Sequence, residues 1–300
     1  MIDPIHVKVL SLVFNPAVKS RRAKNLLEAM GWNEVDILTA RYLADLRECS
    51  RGYARYRVVE RIQVDAFPVK EDGFRYDGNE FMGMMHRGRG FHKADQVDYR
   101  QILEDYQIVE KVRTEGIDEV WMFGPPYAGF FESRMAGSGA FFCNAPPLKH
   151  GEDTPRRFII MGFNYERGVG EMLESFGHRA EAIMRQVYRD RLGEDNLWER
   201  FTRHEKTHPE RSEVGTVHYA PNSVADYDWG NPRRVLSRCR TWESYPDLSG
   251  EPAWVDSREW GGGDMRMHHL WWLRHIPRTS GENNGVSNNW WEYLIDPCRV

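Results

Sequence analysis

Apolar residues run almost unbroken over residues 7–14 (VKVLSLVF), a short β-branched stretch ended by Asn15-Pro16, and predict a buried strand. Helical periodicity follows over 20–30 and 34–49. Residues 55–67 (RYRVVERIQVDAF) predict a second strand stopped by Pro68, and a loop rich in Gly, Met and Arg runs over 73–93. A helix is predicted over 98–115, where Ile102, Tyr106, Val109 and Val112 share one face and Gly116 stands just past the end. Strands are predicted over 119–123 (EVWMF) and 157–163. Residues 125–154 between them carry few periodic signals. A long helix over 167–192 and another over 196–207 complete this part.

Near-continuous apolar strands separated by helices imply a mostly parallel sheet with helices on both faces, a flavodoxin- or Rossmann-like three-layer α/β domain over 1–207. Ligands of such sheets bind beyond the carboxyl ends of the strands. Those ends are Asn15, residues 65–68, residues 124–127 and residues 164–167.

Beyond residue 207 the pattern changes. Eight of the eleven tryptophans fall in the last 93 residues, and only 264–276 and a piece near 289–295 are predicted helical. So many indoles need cover, so 208–300 is expected to be an irregular Trp-rich extension packed on the α/β domain as one unit. Composition adds little. With 41% hydrophobic residues, 29% charged residues and a net charge of −4, the chain has no basic field to attract nucleic acid. No apolar stretch is long enough to cross a bilayer. The amino terminus, MIDPIHVKVLSLVFNP, predicts a first strand rather than a secretion leader, which implies a chain that is cytoplasmic or already trimmed. Cys49, Cys143, Cys239 and Cys298 form no C-x-x-C pair and are expected as thiols.

The helix after the last predicted strand holds the densest polar chemistry. At about 100° per residue, Glu171, Glu174, His178 and Glu181 lie within roughly 80° of arc. Val169, Met172, Leu173, Phe176, Ala180, Ile183 and Val187 take the other side, expected to face the sheet. Such a polar face is ordinarily solvated, with Glu181 and Arg185 as an i,i+4 pair. If the tail covers it, its charges need partners, and a divalent metal, zinc first, is one. His178 and Glu181 stand one turn apart, similar to the H-x-x-E pair of zinc carboxypeptidases, and His218, His269 or His275 can supply the third ligand. Glu166 or Glu174 would then be the general base. For His268 and His275, which share a face of the 264–276 helix with Trp272, the alternative is a core helix whose histidines bond to backbone. Asp226 and Asp228 (VADYDW) read as turn-forming residues rather than cation ligands.

A metal-free site is the alternative. Glu132 (PPYAGFFESRMAG) and Glu166 follow neighbouring strands, and paired carboxyl groups beside aromatic residues suit glycoside cleavage. Tyr127, Asn164, Tyr165, Arg167 and Trp272 would then bind substrate. Glu166 also begins a helix, where a negative charge is favourable in its own right. Other chemistries find no pattern. Ser138 is in no strand–G-x-S-x-G–helix turn, Gly168-Val169-Gly170 lacks a third glycine, and Cys143 has no evident base.

The segments FNYERGVGEMLESFGHRAE, EVWMFGPPYAGFFESRMAG and VHYAPNSVADYDW resemble a family of uncharacterised bacterial proteins, many of them secreted with extra modules. The resemblance spans most of the chain and implies an export-associated, glycan-facing setting, but supplies no catalytic residues. The sequence thus points to a hydrolase, zinc-dependent or using Glu132 and Glu166, that acts on a carbohydrate or cell-wall-type polymer in a cleft between the sheet's carboxyl edge and the tail. A non-catalytic module holding a glycan or protein partner on the aromatic surface, and an intracellular structural protein, are the other readings.

Overall fold

The computed structural model describes residues 2–149 and 154–300; residues 150–153, at the end of the pattern-poor stretch, lie outside the described residues. Two compact units are formed, one of Met1–Ile5, Ala44–Arg55 and Val169–Val300, the other of His6–Leu43 and Tyr56–Gly168. The change of pattern at residue 207 falls inside the first of these. The helix carrying His178 therefore belongs to the same unit as the Trp-rich tail.

The second unit is an α/β structure with a five-stranded sheet. Its elements in chain order are β1 (Ile5–Phe14), α1 (Leu26–Met30), α2 (Val35–Cys49), β2 (Ala54–Val64), α3 (Gly78–Arg87), α4 (Tyr99–Asp105), α5 (Ile108–Thr114), β3 (Glu119–Gly124), β4 (Ser133–Ala136) and β5 (Phe158–Asn164), with the first residue of β1 and parts of α2 and β2 assigned to the other unit. The strand order is β2-β1-β3-β5-β4. β1 pairs with β3 and β3 with β5 in parallel, and β4 joins β5 antiparallel. The apolar runs form strands because both their faces are buried. Leu10, Leu12, Val120, Met122, Phe158 and Ile160 pack with Ile102 and Leu103 of α4 and Ile108 and Val112 of α5. On the opposite face Trp121 and Phe163 meet the Tyr42 ring of α2 at 5.1 and 5.4 Å. Glu119 is buried there, accepting from Trp121 Nε1 and the Tyr56 hydroxyl at 3.0 Å each.

Several predicted elements change in this unit. The helix expected over 98–115 breaks into α4 and α5, because Gln107 takes a left-handed conformation (φ 52) that ends one hydrogen-bonded ladder and starts another. The expected 73–93 loop contains α3, where the Asp77 carboxylate caps the amides of Asn79 and Glu80 and Gly88 closes the last turn at φ 63. The helix expected over 20–30 shrinks to α1, and the 125–154 stretch yields the short strand β4.

The first unit is built around α6 (Val169–Val187). It continues through α7 (Leu197–Phe201), the pair β6 (Val235–Ser237) and β7 (Ala253–Val255), α8 (Met265–His275), the hairpin β8 (Arg278–Asn283) and β9 (Val286–Asn289), and α9 (Trp291–Ile295). Both α8 and α9 pack on α6. Phe176, expected on the sheet side, stacks on Trp291 at 5.8 Å. Seven of the eight tail tryptophans are buried, and only Trp254, at 59% exposure, faces solvent. Trp198, Phe201, Trp242, Trp272 and Trp290 form one aromatic cluster with edge-to-face and tilted contacts of 5.1–6.3 Å. Each such indole removes about 150–250 Å² from water, so the tail's tryptophans are chiefly core. Among the described residues no helix is long and apolar enough to cross a membrane.

Candidate metal centre

α6 and the segment 214–230 meet around Gly177. A Cβ there would stand 2.1 Å from Val217 Cγ2, so only glycine lets the segment lie this close. The contact is fixed at two more points. Glu181 Oε1 accepts the Val217 amide at 3.0 Å, and the Val217 carbonyl lies 3.2 Å from His269 Nε2. The tail thereby covers most of the polar face of α6. Glu174 and Glu181 are buried, and His178 is largely covered.

This arrangement sets His218 beside α6. Glu174, His178 and His218 each offer one donor atom, and these atoms all lie within 4.8 Å of one another, so the three can hold a metal ion. Glu174 Oε1 stands 3.0 Å from His218 Nε2 and 4.0 Å from His178 Nε2. The two imidazoles meet edge to face at 4.7 Å. Each has a carboxylate behind its other nitrogen: Asp226 Oδ1 lies 3.0 Å from His218 Nδ1, and Glu181 Oε2 lies 3.6 Å from His178 Nδ1. Tyr227 completes the cluster, donating its hydroxyl to Glu174 Oε1 at 2.7 Å and lying 2.9 Å from His218 Nε2.

Three carboxylates thus surround two imidazoles, with Arg185 on the outer edge against Glu181 at 3.3 Å. Burial works against charge on Glu174, but the bonds from His218 and Tyr227 outweigh it and hold the carboxyl at about 2. Burial likewise opposes charge on His218, yet Glu174 and Asp226 together raise its pKa above the ordinary histidine value. For Glu181, burial is outweighed by His178, the Val217 amide and Arg185, and its pKa falls. The cluster is an anionic nest around a partly open pair of imidazoles.

Of the residues expected to bind metal, His178 and His218 come together. Glu181 is placed behind His178, with both oxygens engaged, and Glu174, expected as a base, stands in its place as the carboxylate donor. His269 is buried between the carbonyls of Gly170 and Val217 at 3.1 and 3.2 Å, and desolvation lowers its pKa to about 4. His275, the last residue of α8, is buried and bonds to the Trp271 carbonyl, as the backbone-bonded alternative has it, whereas His268, read the same way, is buried with no hydrogen bond to backbone among the described residues. Trp272 is fully buried with Nε1 on the Gly215 carbonyl, so it offers no face to a substrate. Asp228 accepts the Val224 amide, a turn bond as expected, while Asp226, also expected in a turn, reaches His218. Pattern reading missed Asp226 and Tyr227 as parts of the cluster, although both lie in the VHYAPNSVADYDW segment.

The remaining candidates lie around the sheet of the other unit. Glu132 Oε2 accepts the Asn144 side-chain amide from across β4 at 2.6 Å, and the exposed Glu166 takes the Asn164 side-chain amide at the end of β5 at 3.4 Å, so each carboxylate has a partner near it. Asn164 caps the turn by accepting the Glu166 amide N–H. Tyr165 is buried with its hydroxyl on the Phe14 carbonyl, and the Arg167 carbonyl accepts from Asn33. Tyr127 is exposed and stacks on Phe91 at 3.9 Å. In the first unit, a cavity of about 500 Å³ lined by Arg200, Arg203, Arg211 and Arg238 holds none of the cluster residues; Arg200 pairs there with Glu213, and Arg203 with Glu194 and Glu199. No family model, curated protein or solved structure matches the chain, so the site is read from its own geometry.

Proposed function

We propose that Glu174, His178 and His218 bind zinc and that the protein is a metal-dependent hydrolase. What carries this reading is the convergence of the three donors together with a carboxylate behind each imidazole, the arrangement that fixes tautomer and ring direction in catalytic zinc sites. Two histidines and one glutamate are a known catalytic ligand set that leaves a position for water. The surplus of carboxylates favours a divalent cation, and the part-exposed imidazoles leave it reachable. Zinc would supply a water whose pKa is lowered to about 7 and a Lewis acid for a carbonyl oxygen. That chemistry suits an amide or ester more than a glycosidic bond, so the substrate we propose is an acyl group carried by a carbohydrate or cell-wall-type polymer. Tyr227, 47% exposed, is the aromatic face at this centre that a sugar ring can meet.

The test begins with protein stripped by chelator and titrated with zinc in a calorimeter. One ion per chain is expected, with affinity reduced at least about tenfold in Glu174→Gln, His178→Ala and His218→Ala. Zinc-restored hydrolysis of acylated sugars or peptides would support the activity. Absence of zinc binding, or binding indifferent to His218→Ala, would leave the cluster as a buried ion-pair network with a structural role.

A further inference from the structure

We infer that Tyr227 is a fourth, displaceable ligand of this centre, one that closes it at rest and must leave to admit water or substrate. The inference rests on the metal reading above. Donors around one tetrahedral zinc ion stand about 3.3–3.6 Å apart, given metal–donor distances of about 2.0–2.2 Å. The Tyr227 oxygen lies 2.7 Å from Glu174 Oε1 and 2.9 Å from His218 Nε2. It is nearer to both donors than a fellow ligand would be. An ion seated between Glu174 and His218 must therefore either take the phenol oxygen as a ligand or drive it out.

The surroundings of Tyr227 favour ligation. Its ring lies against the His218 imidazole at 4.3 Å and meets the Trp229 indole edge-on at 5.2 Å. Its amide donates to the His218 carbonyl at 3.3 Å, and the Trp229 indole donates to the same carbonyl at 2.9 Å. The phenol is aimed at the centre by the turn that holds His218, so binding needs its oxygen to draw back from these two donors by about 0.4–0.9 Å. On ligation the O–H proton of the phenol and any Nε2 proton of His218 would pass to solvent, and the freed oxygen and nitrogen lone pairs would face the metal.

The same turn gives Tyr227 a way out. Its backbone sits at φ 55, a left-handed conformation uncommon for a bulky residue, and Val224, Asp226 and Tyr227 are all exposed. Four protein ligands make a closed site of the structural kind, whereas three and a free position make a catalytic one. Departure of Tyr227 converts the first into the second, which assigns the turn 223–229 the role of a gate.

Copper(II) is the probe, because it binds nitrogen and oxygen sites more tightly than zinc and its bond to a phenolate absorbs visible light. Wild-type protein loaded with one equivalent of copper(II) is expected to show a phenolate-to-copper band. Tyr227→Phe should still bind copper(II), with affinity lowered about tenfold, and show no band. Copper bound by the wild type without the band, or a band kept in Tyr227→Phe, overturns the assignment while leaving the three-donor centre standing. Failure of the wild type to bind copper or zinc overturns both. Far-UV circular dichroism and the melting temperature of Tyr227→Phe confirm that the variant is folded; a His218→Phe control should lose band and binding together.

Discussion

Asp226 illustrates how much of this centre is decided one residue at a time. It is more than half exposed, and as an isolated surface ion pair with His218 it would contribute little to stability. Its value lies in fixing which imidazole nitrogen faces Glu174. Asp226→Ala is therefore expected to leave the melting temperature of the zinc-free protein nearly unchanged but weaken zinc binding by about 10–100-fold, measured by calorimetry. An unchanged zinc affinity would show that His218 is oriented by backbone contacts alone. The sequence brings His178 into view because a histidine within a polar helix face stands out. It cannot say whether the carboxylate four residues before or three residues after becomes the donor, since both reach the same ring. That choice is made by the Val217 amide, which occupies Glu181 and leaves Glu174 to turn toward His218. His269 was equally beyond reach, because its partners are two backbone carbonyls that no side-chain pattern announces.

At the scale of elements, α6 is a helix whose interior glycine serves another segment. Alanine at an exposed helix interior is favoured over glycine by about 1 kcal/mol. At Gly177 the sign should reverse, since the added methyl would collide with Val217, a buried β-branched side chain with little rotamer freedom. Gly177→Ala is expected to destabilise the protein by about 1–3 kcal/mol in urea unfolding and weaken zinc binding as His218 is pushed off α6. A gain in stability would mean that the 214–230 segment is not seated as described. The strands β1, β3 and β5 were legible because strands buried on both faces leave uninterrupted apolar runs. The division of α4 from α5 was not, since it depends on Gln107 entering a conformation usually left to glycine. α3 had its cap in view, Asp77 with Glu80 three residues on, but Gly78 and Gly83 argued locally against a helix. β4, four residues long, is too short to carry a period.

For the whole molecule, the most general consequence comes from histidines used as core. His204, His268, His269 and His275 are all buried in the first unit, and burial lowers the pKa of each below 6.5, to about 4 for His269. His268 is stacked on Trp229 at 4.6 Å beside His269, with no hydrogen-bond partner for either nitrogen among the described residues. His275 faces the Trp271 carbonyl, with Glu243, Arg274 and Arg278 acting on it from nearby. The native state keeps these rings neutral, while the unfolded chain protonates them near pH 6.5. Below that pH the unfolded state binds more protons, so their contribution is complete above about 6.5 and is lost as the pH falls toward the folded values. A single fully buried histidine with a much lowered pKa forfeits about 2 kcal/mol between pH 7.5 and pH 5. Zinc-free wild-type protein should therefore lose stability over that interval, by about 2 kcal/mol for each ring so buried and offset in part by His218, whose raised pKa favours the folded state on acidification, measured by urea unfolding at each pH. His268→Leu, which replaces two unpartnered nitrogens with an apolar group of similar bulk, should match or exceed the wild type at pH 7.5 and lose about 2 kcal/mol less on acidification. Equal acid sensitivity in the two proteins would place the His268 ring in contact with water or a proton donor, and the aromatic core around Trp229 would then be open rather than closed.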